Sequence, residues 1–303
     1  MKCFNDFSQT SPNIHNWPLS KNSIQEFITW AAVVRKLKSN TIKSYLSSLN
    51  LAHKFRDLSG ENCVGFTAKM LLRGIENLEF YVDISKESRK AMSLPLLKLI
   101  GHELAKADWT VDKKATVWAA CTTAFFGSFR LGEILSKSKN VTPAETLLWS
   151  DMVFRDNSVT IHIRIPKNRC PSGEFVDIFE FKNHNCCPVA ALKSLKKLKT
   201  NPSSSPVFFF SDFSPLTPLL LTNVIQSFLS PHIGQDAKLL SGHSFRSGIP
   251  SILSNCPDLA NDEEIKLWGR WNSSSYKLYT RLHLEKKRAV FNKVVSVLNR
   301  TSN

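Results

Sequence analysis

The chain has 303 residues, 42% of them hydrophobic and 10% aromatic, which is enough for two ordinary domains with real cores and excludes a disordered polyelectrolyte. Its 40 Lys and Arg against 25 Asp and Glu give a formal charge of +15, shared between residues 1–90 and the remainder, and point to a polyanionic partner, most simply nucleic acid. No run of about 18 apolar residues argues for a membrane span, and "MKCFNDFSQTSPNIHNW" lacks the apolar stretch of a signal peptide.

Residues 20–80 read as helical. In "SIQEFITWAAVVRKL", Ile24, Phe27, Ile28, Ala31 and Val34 recur at helical spacing, with Ser23 and Glu26 placed as a capping box. "SNTIKSYLSSLNLAHKF" repeats the pattern with Ile42, Tyr45, Leu46, Leu49 and His53, and "TAKMLLRGIENLEF" is a third helical piece. Short connections between them predict a small bundle. The polar stretch "DISKESRKAMSLP" reads as a linker, with Ser93 or Leu94 before a new helix, so the expected domains are 1–88 and 89–303.

In the second domain, "KKATVWAACTTAFFGSF" predicts a long apolar helix that stops near Gly127 and Ser128, and "RLGEILSKS" restarts helically from Arg130. "SVTIHIRIPK" alternates Val159, Ile161, Ile163 and Ile165 with polar residues; "NRCPSGE" turns and "FVDIFEF" returns, a hairpin with Lys167 at its tip. "PLTPLLLTNVIQSFL" is leucine-rich but broken by Pro218, Thr222 and Asn223, hence a short helix. "EKKRAVFNKVVSVL" predicts an amphipathic helix, with Val290, Val294, Val295 and Leu298 apolar. The fold class is mainly α with a small antiparallel β-sheet. Seven cysteines without a regular framework suggest reduced, intracellular thiols. Cys186 and Cys187, near His184 and Cys170, lack the CxxC spacing of a zinc site and read as buried thiols at a helix start.

Several polar residues are placed awkwardly for a core. Arg130 ends an apolar helix, Lys167 tips the hairpin, and His243 and Arg246 in "GHSFRSGIPS" share one helical face. Trp271, Tyr276 and Tyr279 follow in "GRWNSSSYKLYTR", with Trp268 read as core. Taken singly, each has a plain structural explanation: a solvated helix face, a solvated turn, a packed indole. Together they have the chemistry for breaking a phosphodiester. Two arginines offer planar, forked donors to phosphate oxygens, worth ~3–4 kcal/mol per donor in a preorganised site. Tyr279 can serve as nucleophile if cationic neighbours lower its pKa from ~10. Lys167 suits protonation of the leaving oxygen and His243 a proton transfer or phosphate hydrogen bond. The arginines hold the charge that a metal holds elsewhere, so neither metal nor cofactor is expected.

In order along the chain, "FFGSFRLGEIL", "IHIRIPK", "GHSFRSG" and "GRWNSSSYKLYTR" resemble the signature boxes of the tyrosine recombinase (phage integrase) family, most closely those carried by crypton-type and related eukaryotic or viral elements. The resemblance implies a helical N-terminal core-binding domain and a catalytic domain. It implies site-specific DNA cutting and rejoining through a covalent 3′-phosphotyrosine. Arg130 takes the first-box position with Glu133 its acidic companion, Lys167 the hairpin lysine, His243 and Arg246 the second-box pair, Trp271 the histidine-or-tryptophan position, and Tyr279 the nucleophile. Tyr279 is preferred over Tyr276 because it precedes Arg281, as family nucleophiles often do. Further implications are double-stranded DNA as partner, a homotetramer on paired sites, and, by the eukaryotic likeness, the nucleus. Alternatives are a type IB topoisomerase or a catalytically inactive sequence-specific DNA-binding protein. Two departures stand out. Trp271 lies eight residues before Tyr279, one fewer than in many bacterial relatives, and Pro250 is expected to kink the His243 helix or end it early. On the first domain, Arg35, Lys36, Lys38, Lys43 and Lys54 are candidates for phosphate contacts that position without specifying sequence.

Overall fold

Helical spacing and strict alternation become twelve α-helices and three strands among the described residues of the computed structural model, which are 2–10, 17–83, 90–138, 146–166, 172–182, 184–199, 205–255 and 260–271. The chain divides into two compact units, Met1–Glu87 and Ser88–Asn303.

The first unit holds α1 (Lys2–Thr10), α2 (Lys21–Val33), α3 (Ser39–Lys54), α4 (Glu61–Val64) and α5 (Phe66–Asp83). Its core is built from the periodic residues Ile24, Phe27, Ile28, Ile42, Leu46 and Leu49, joined by Phe4 and Phe7, whose rings meet Phe27 at 5.4 Å. Buried His53 donates from Nδ1 to the Leu49 carbonyl at 2.8 Å and accepts the Leu19 N–H at Nε2 at 3.0 Å, so a polar side chain closes the core without an orphaned atom. The expected Ser23 cap is corrected. Helix α2 starts three residues earlier, where the Ser20 hydroxyl accepts the Ser23 N–H at 3.1 Å.

The second unit holds α6 (Leu94–Lys106), α7 (Val111–Phe126), α8 (Leu131–Ile134), β1 (Met152–Phe154), β2 (Ser158–Ile163), β3 (Glu174–Phe179), α9 (Pro188–Leu198), α10 (Pro218–Ile233), α11 (Gly242–Asn255) and α12 (Asp262–Gly269). Helix α7 is the centre, apolar on most of its circumference because α6, α9 and α11 pack around it. The strands form one antiparallel sheet in the order β1-β2-β3, with Val159 opposite Ile178 and Ile161 opposite Val176. These apolar residues face the core; Thr160, His162 and Phe175 alternate on the other side. Strand β1 was not anticipated, being too short to show a period.

Three further expectations change. Helix α11 runs through Pro250 to Asn255 rather than ending early. An interior proline costs a helix about 3 kcal/mol, and packing of α11 on α7, α8 and α12 offsets it. Pro218 starts α10, and Thr222 and Asn223 lie inside it without breaking it. Trp268 is exposed, not core: the buried positions of the short helix α12 are Ile265 and Gly269, and Trp268 projects beside them. Cys187 caps α9, its sulfur accepting the Ala190 N–H, and Cys186 beside it is buried. No group of three metal-binding side chains occurs among the described residues, and no described helix is long and apolar enough to cross a membrane.

Candidate active site

The site is assembled where four elements end against one another. Helix α7 stops at Gly127, and Ser128 turns left-handed at φ 46°. That turn drops Phe129 into the core and leaves Arg130 as the N-cap residue of α8. The Arg130 N–H donates to Glu133 Oε2 at 3.0 Å, and its Nη1 donates to Glu133 Oε1 at 2.7 Å. Glu133 is therefore no exposed helix-start acid: its side chain is only 6% accessible, against 25% for that of Arg130.

Arg246 comes in from the second turn of α11 and is 1% exposed, among the largest fully buried side chains. Its Nη1 donates to the Ser128 carbonyl at 3.0 Å, and its Nη2 to the carbonyls of Gly269 at 2.6 Å and Arg270 at 3.3 Å. Nη1 also lies 4.0 Å from Glu133 Oε2, and the guanidinium carbon sits 5.1 Å from the centre of the Trp271 ring. Trp271 is buried against Gly269, where an added Cβ would stand 1.8 Å from the indole. The glycine is thus required by the close approach of the ring. His243 is half-buried, one turn before Arg246.

Two residues of this cluster, Arg270 and Glu174, were missed in the sequence. Arg270 follows α12 in a left-handed conformation (φ 54°, ψ 52°). Its Nη2 donates to Glu133 Oε2 at 2.8 Å and its Nη1 to Glu174 Oε2, at the start of β3, at 3.0 Å. Glu174 was equally unmarked. The available signal was the spacing: Arg270, not Trp271, lies nine residues before Tyr279.

The electrostatics follow from burial. Three guanidinium groups face two carboxylates, a net positive charge in a space largely closed to water. Burial, reinforced by the charges of Arg130 and Arg270, pulls the Arg246 guanidinium well below the ordinary arginine value, to about 10, so it stays protonated at neutral pH. Burial pushes the Glu133 carboxyl up, but the charge of Arg270 and the hydrogen bonds from Arg270 and Arg130 outweigh it and hold it below the ordinary glutamate range. A small polar cavity of about 80 Å³ lies behind Glu133, lined by Lys137, Asp151, His162 and Arg164 among others. A separate apolar groove of about 800 Å³ along α6 and α7 includes none of these residues.

Five of the expected catalytic and supporting positions, Arg130, Glu133, His243, Arg246 and Trp271, are thus drawn from α8, α11 and the end of α12. Lys167, Tyr276, Tyr279 and the amphipathic C-terminal segment lie outside the described residues. In the first unit, Arg35, Lys36, Lys38, Lys43 and Lys54 are all exposed. Lys43 and Lys54 share one face of α3, away from the buried Ile42, Leu46 and Leu49. Arg35 is 3.7 Å from Asp6 and stacks on Trp30.

No family model matches the sequence, and no curated protein matches it. Solved structures do. The Tn1549 transposon integrase in complex with a circular intermediate DNA superposes with a TM-score of 0.61 at 11% identity, over 96% of this chain and 98% of that one. A XerH site-specific recombinase in its post-cleavage complex with palindromic difH substrate gives 0.57 at 13%, over 95% and 76%. A lambda integrase dimer bound to a COC′ core site gives 0.55 at 12%, over 93% and 70%. The chain therefore has the fold of the tyrosine recombinases and integrases.

Proposed function

We propose that the protein is a site-specific DNA recombinase or integrase of the tyrosine type. The observation that carries this is the pair of half-buried Arg130 and buried Arg246, joined through Glu133 with Trp271 packed on Arg246, on a fold shared with DNA-bound recombinases. In this reading the Tyr279 oxygen attacks a DNA phosphorus as its phenolic proton passes to His243. A P–O bond to tyrosine forms, the P–O5′ bond breaks, and the departing 5′-oxygen takes a proton from Lys167. A 5′-hydroxyl of a partner strand then attacks the phosphotyrosine, giving its proton back to Lys167, and Tyr279 leaves and recovers its own from His243, so bond energy is conserved and no nucleotide is consumed. Arg130 and Arg246 stabilise charge growing on the equatorial oxygens. Nε of Arg246 has no hydrogen-bond partner among the described residues, and a phosphate oxygen is an acceptor of the right kind.

The unit Met1–Glu87 serves as the core-binding domain and presents Lys43 and Lys54 to backbone phosphates, with Arg35, Lys36 and Lys38 nearby in sequence. Four protomers on two paired sites form the working assembly, and the source is a mobile element of the crypton type acting on nuclear DNA. A duplex containing the site selected from a random pool, nicked so that the cleaved strand escapes, tests the chemistry. A covalent adduct with wild type and none with Tyr279→Phe is expected. An adduct that persists in Tyr279→Phe, or binding without any adduct, would sink the reading; supercoil relaxation without joining of two sites would indicate a topoisomerase instead.

A further inference from the structure

Arg270 connects parts of the site that lie far apart in sequence. A left-handed backbone at a non-glycine residue is strained, and the position after a helix is one where glycine is ordinarily favoured. Here the turn sends the side chain inward, only 10% exposed, over the Phe129 ring at 4.8 Å. Its planar fork spans two carboxylates, one on each Nη. The first, Glu133, also takes both the N–H and the guanidinium of Arg130. The second, Glu174, opens β3 directly after Gly173, whose φ of 73° is itself left-handed, and lies seven residues after Lys167. On its other side Arg270 leads into Trp271 and, nine residues on, Tyr279.

We propose that Arg270 is a positioning residue for strand transfer: by clasping Glu133 to Glu174 it fixes the carboxylate that aims Arg130 and anchors the strand that follows Lys167. The proposal rests on the recombinase reading above. Lysine cannot replace it fully, because an ammonium is a point charge without the planar fork that reaches two carboxylates in fixed directions. The clasp also sets a pH dependence. Glu133 faces Arg130 from its own turn, Arg270 from the end of α12 and Arg246 from α11. Across the small polar cavity it shares a lining with Lys137, Asp151, His162 and Arg164. Of the influences that keep its carboxyl ionised despite burial, the charge of Arg270 is the strongest.

The test uses the full chain and the nicked duplex, with wild type, Tyr279→Phe, Arg270→Ala and Arg270→Lys, reading single-turnover cleavage against pH, duplex affinity and thermal melting. Arg270→Ala is expected to cleave about 10- to 100-fold more slowly, with unchanged duplex affinity and an acid limb of the rate profile moved to higher pH. Arg270→Lys is expected to melt like wild type, keep the wild-type acid limb and recover only part of the rate. If wild type forms its Tyr279-dependent adduct and Arg270→Ala matches it in rate and profile, the clasp is wrong while the recombinase reading stands. A loss that is equal at every pH, tracks melting and is shared by Arg270→Lys also overturns it, since that is mere structural support. If wild type forms no Tyr279 adduct, the reading itself falls and takes the clasp with it.

Discussion

Replacing Arg246 by alanine separates what this side chain does for folding from what the proposed recombinase chemistry asks of it. Three carbonyls lose a charged donor, those of Ser128, Gly269 and Arg270. The Ser128 carbonyl retains Arg270 Nη2 at 3.4 Å, which leaves two acceptors orphaned. At about 1–3 kcal/mol for each buried acceptor left unpaired, the loss is ~2–6 kcal/mol. Against it stands a relief. A guanidinium held at about 10, well below the ordinary arginine value, carries a penalty on the order of 3 kcal/mol for staying charged in the folded protein. Because the folded value is depressed, this penalty is in full force below pH 10 and fades only as pH rises through it, so alanine removes all of it at neutral pH. The net cost is about −1 to +3 kcal/mol, a fall in melting temperature of at most ~12 °C for a unit of this size. Catalysis has no such compensation: one preorganised donor is worth about 100- to 1,000-fold in rate. Arg246→Ala should therefore stay folded by calorimetry and bind the selected duplex, yet form adduct at least 100-fold more slowly. Cleavage near the wild-type rate would refute the placement of this guanidinium on the phosphate, and outright unfolding would refute the cancellation.

Gly269→Ala forces a Cβ into the Trp271 ring, 1.8 Å from its nearest atom; it should displace the indole from Arg246, slow cleavage and shift tryptophan fluorescence while duplex affinity holds. Glu133→Gln removes a carboxylate whose folded pKa is depressed. Its stabilising contribution is present above the ordinary glutamate value of ~4.3 and lost as pH falls through the lower folded value. The melting gap between wild type and Glu133→Gln should thus be widest near neutrality and close in acid. Lys43→Ala and Lys54→Ala, on the exposed face of α3, should each lower the slope of log affinity against log salt by about 0.9, equally on specific and random duplexes.

Much of the fold was legible because it follows short periods. Val159, Ile161 and Ile163 alternate and do form a strand; Ile42, Leu46 and Leu49 recur by helical steps and do face a core. Of the site, Arg130 and the His243–Arg246 pair stood out because a cation at the end of an apolar helix, and two polar groups on one helical face, are local oddities. Arg270 and Glu174 were not legible from local pattern. Their value lies in meeting each other across 96 positions and in Arg270 meeting Glu133 across 137, and neither partner disturbs the pattern of its own segment. Trp268 was misread for a related reason. Which aromatic of "LWGRW" is buried depends on where α12 ends, and the left-handed turn at Arg270 hands that role to Trp271.

The charge balance of the cluster ties these points together. Arg130, Arg246 and Arg270 against Glu133 and Glu174 leave one positive charge uncompensated among these five groups, close to where α11 begins and its backbone N–H groups add to the same potential. A protein selected for stability alone gains nothing from that excess, since burial of an unpaired charge is costly. The same arrangement becomes favourable when a phosphodiester, with its single negative charge, enters. The left-handed turns at Ser128 and Arg270 fit this view: both spend backbone energy to turn groups into the site, a carbonyl in one case and a guanidinium in the other. Two carboxylates rather than three then make sense. They hold the guanidinium groups at fixed angles without cancelling the positive charge that an entering phosphodiester would meet.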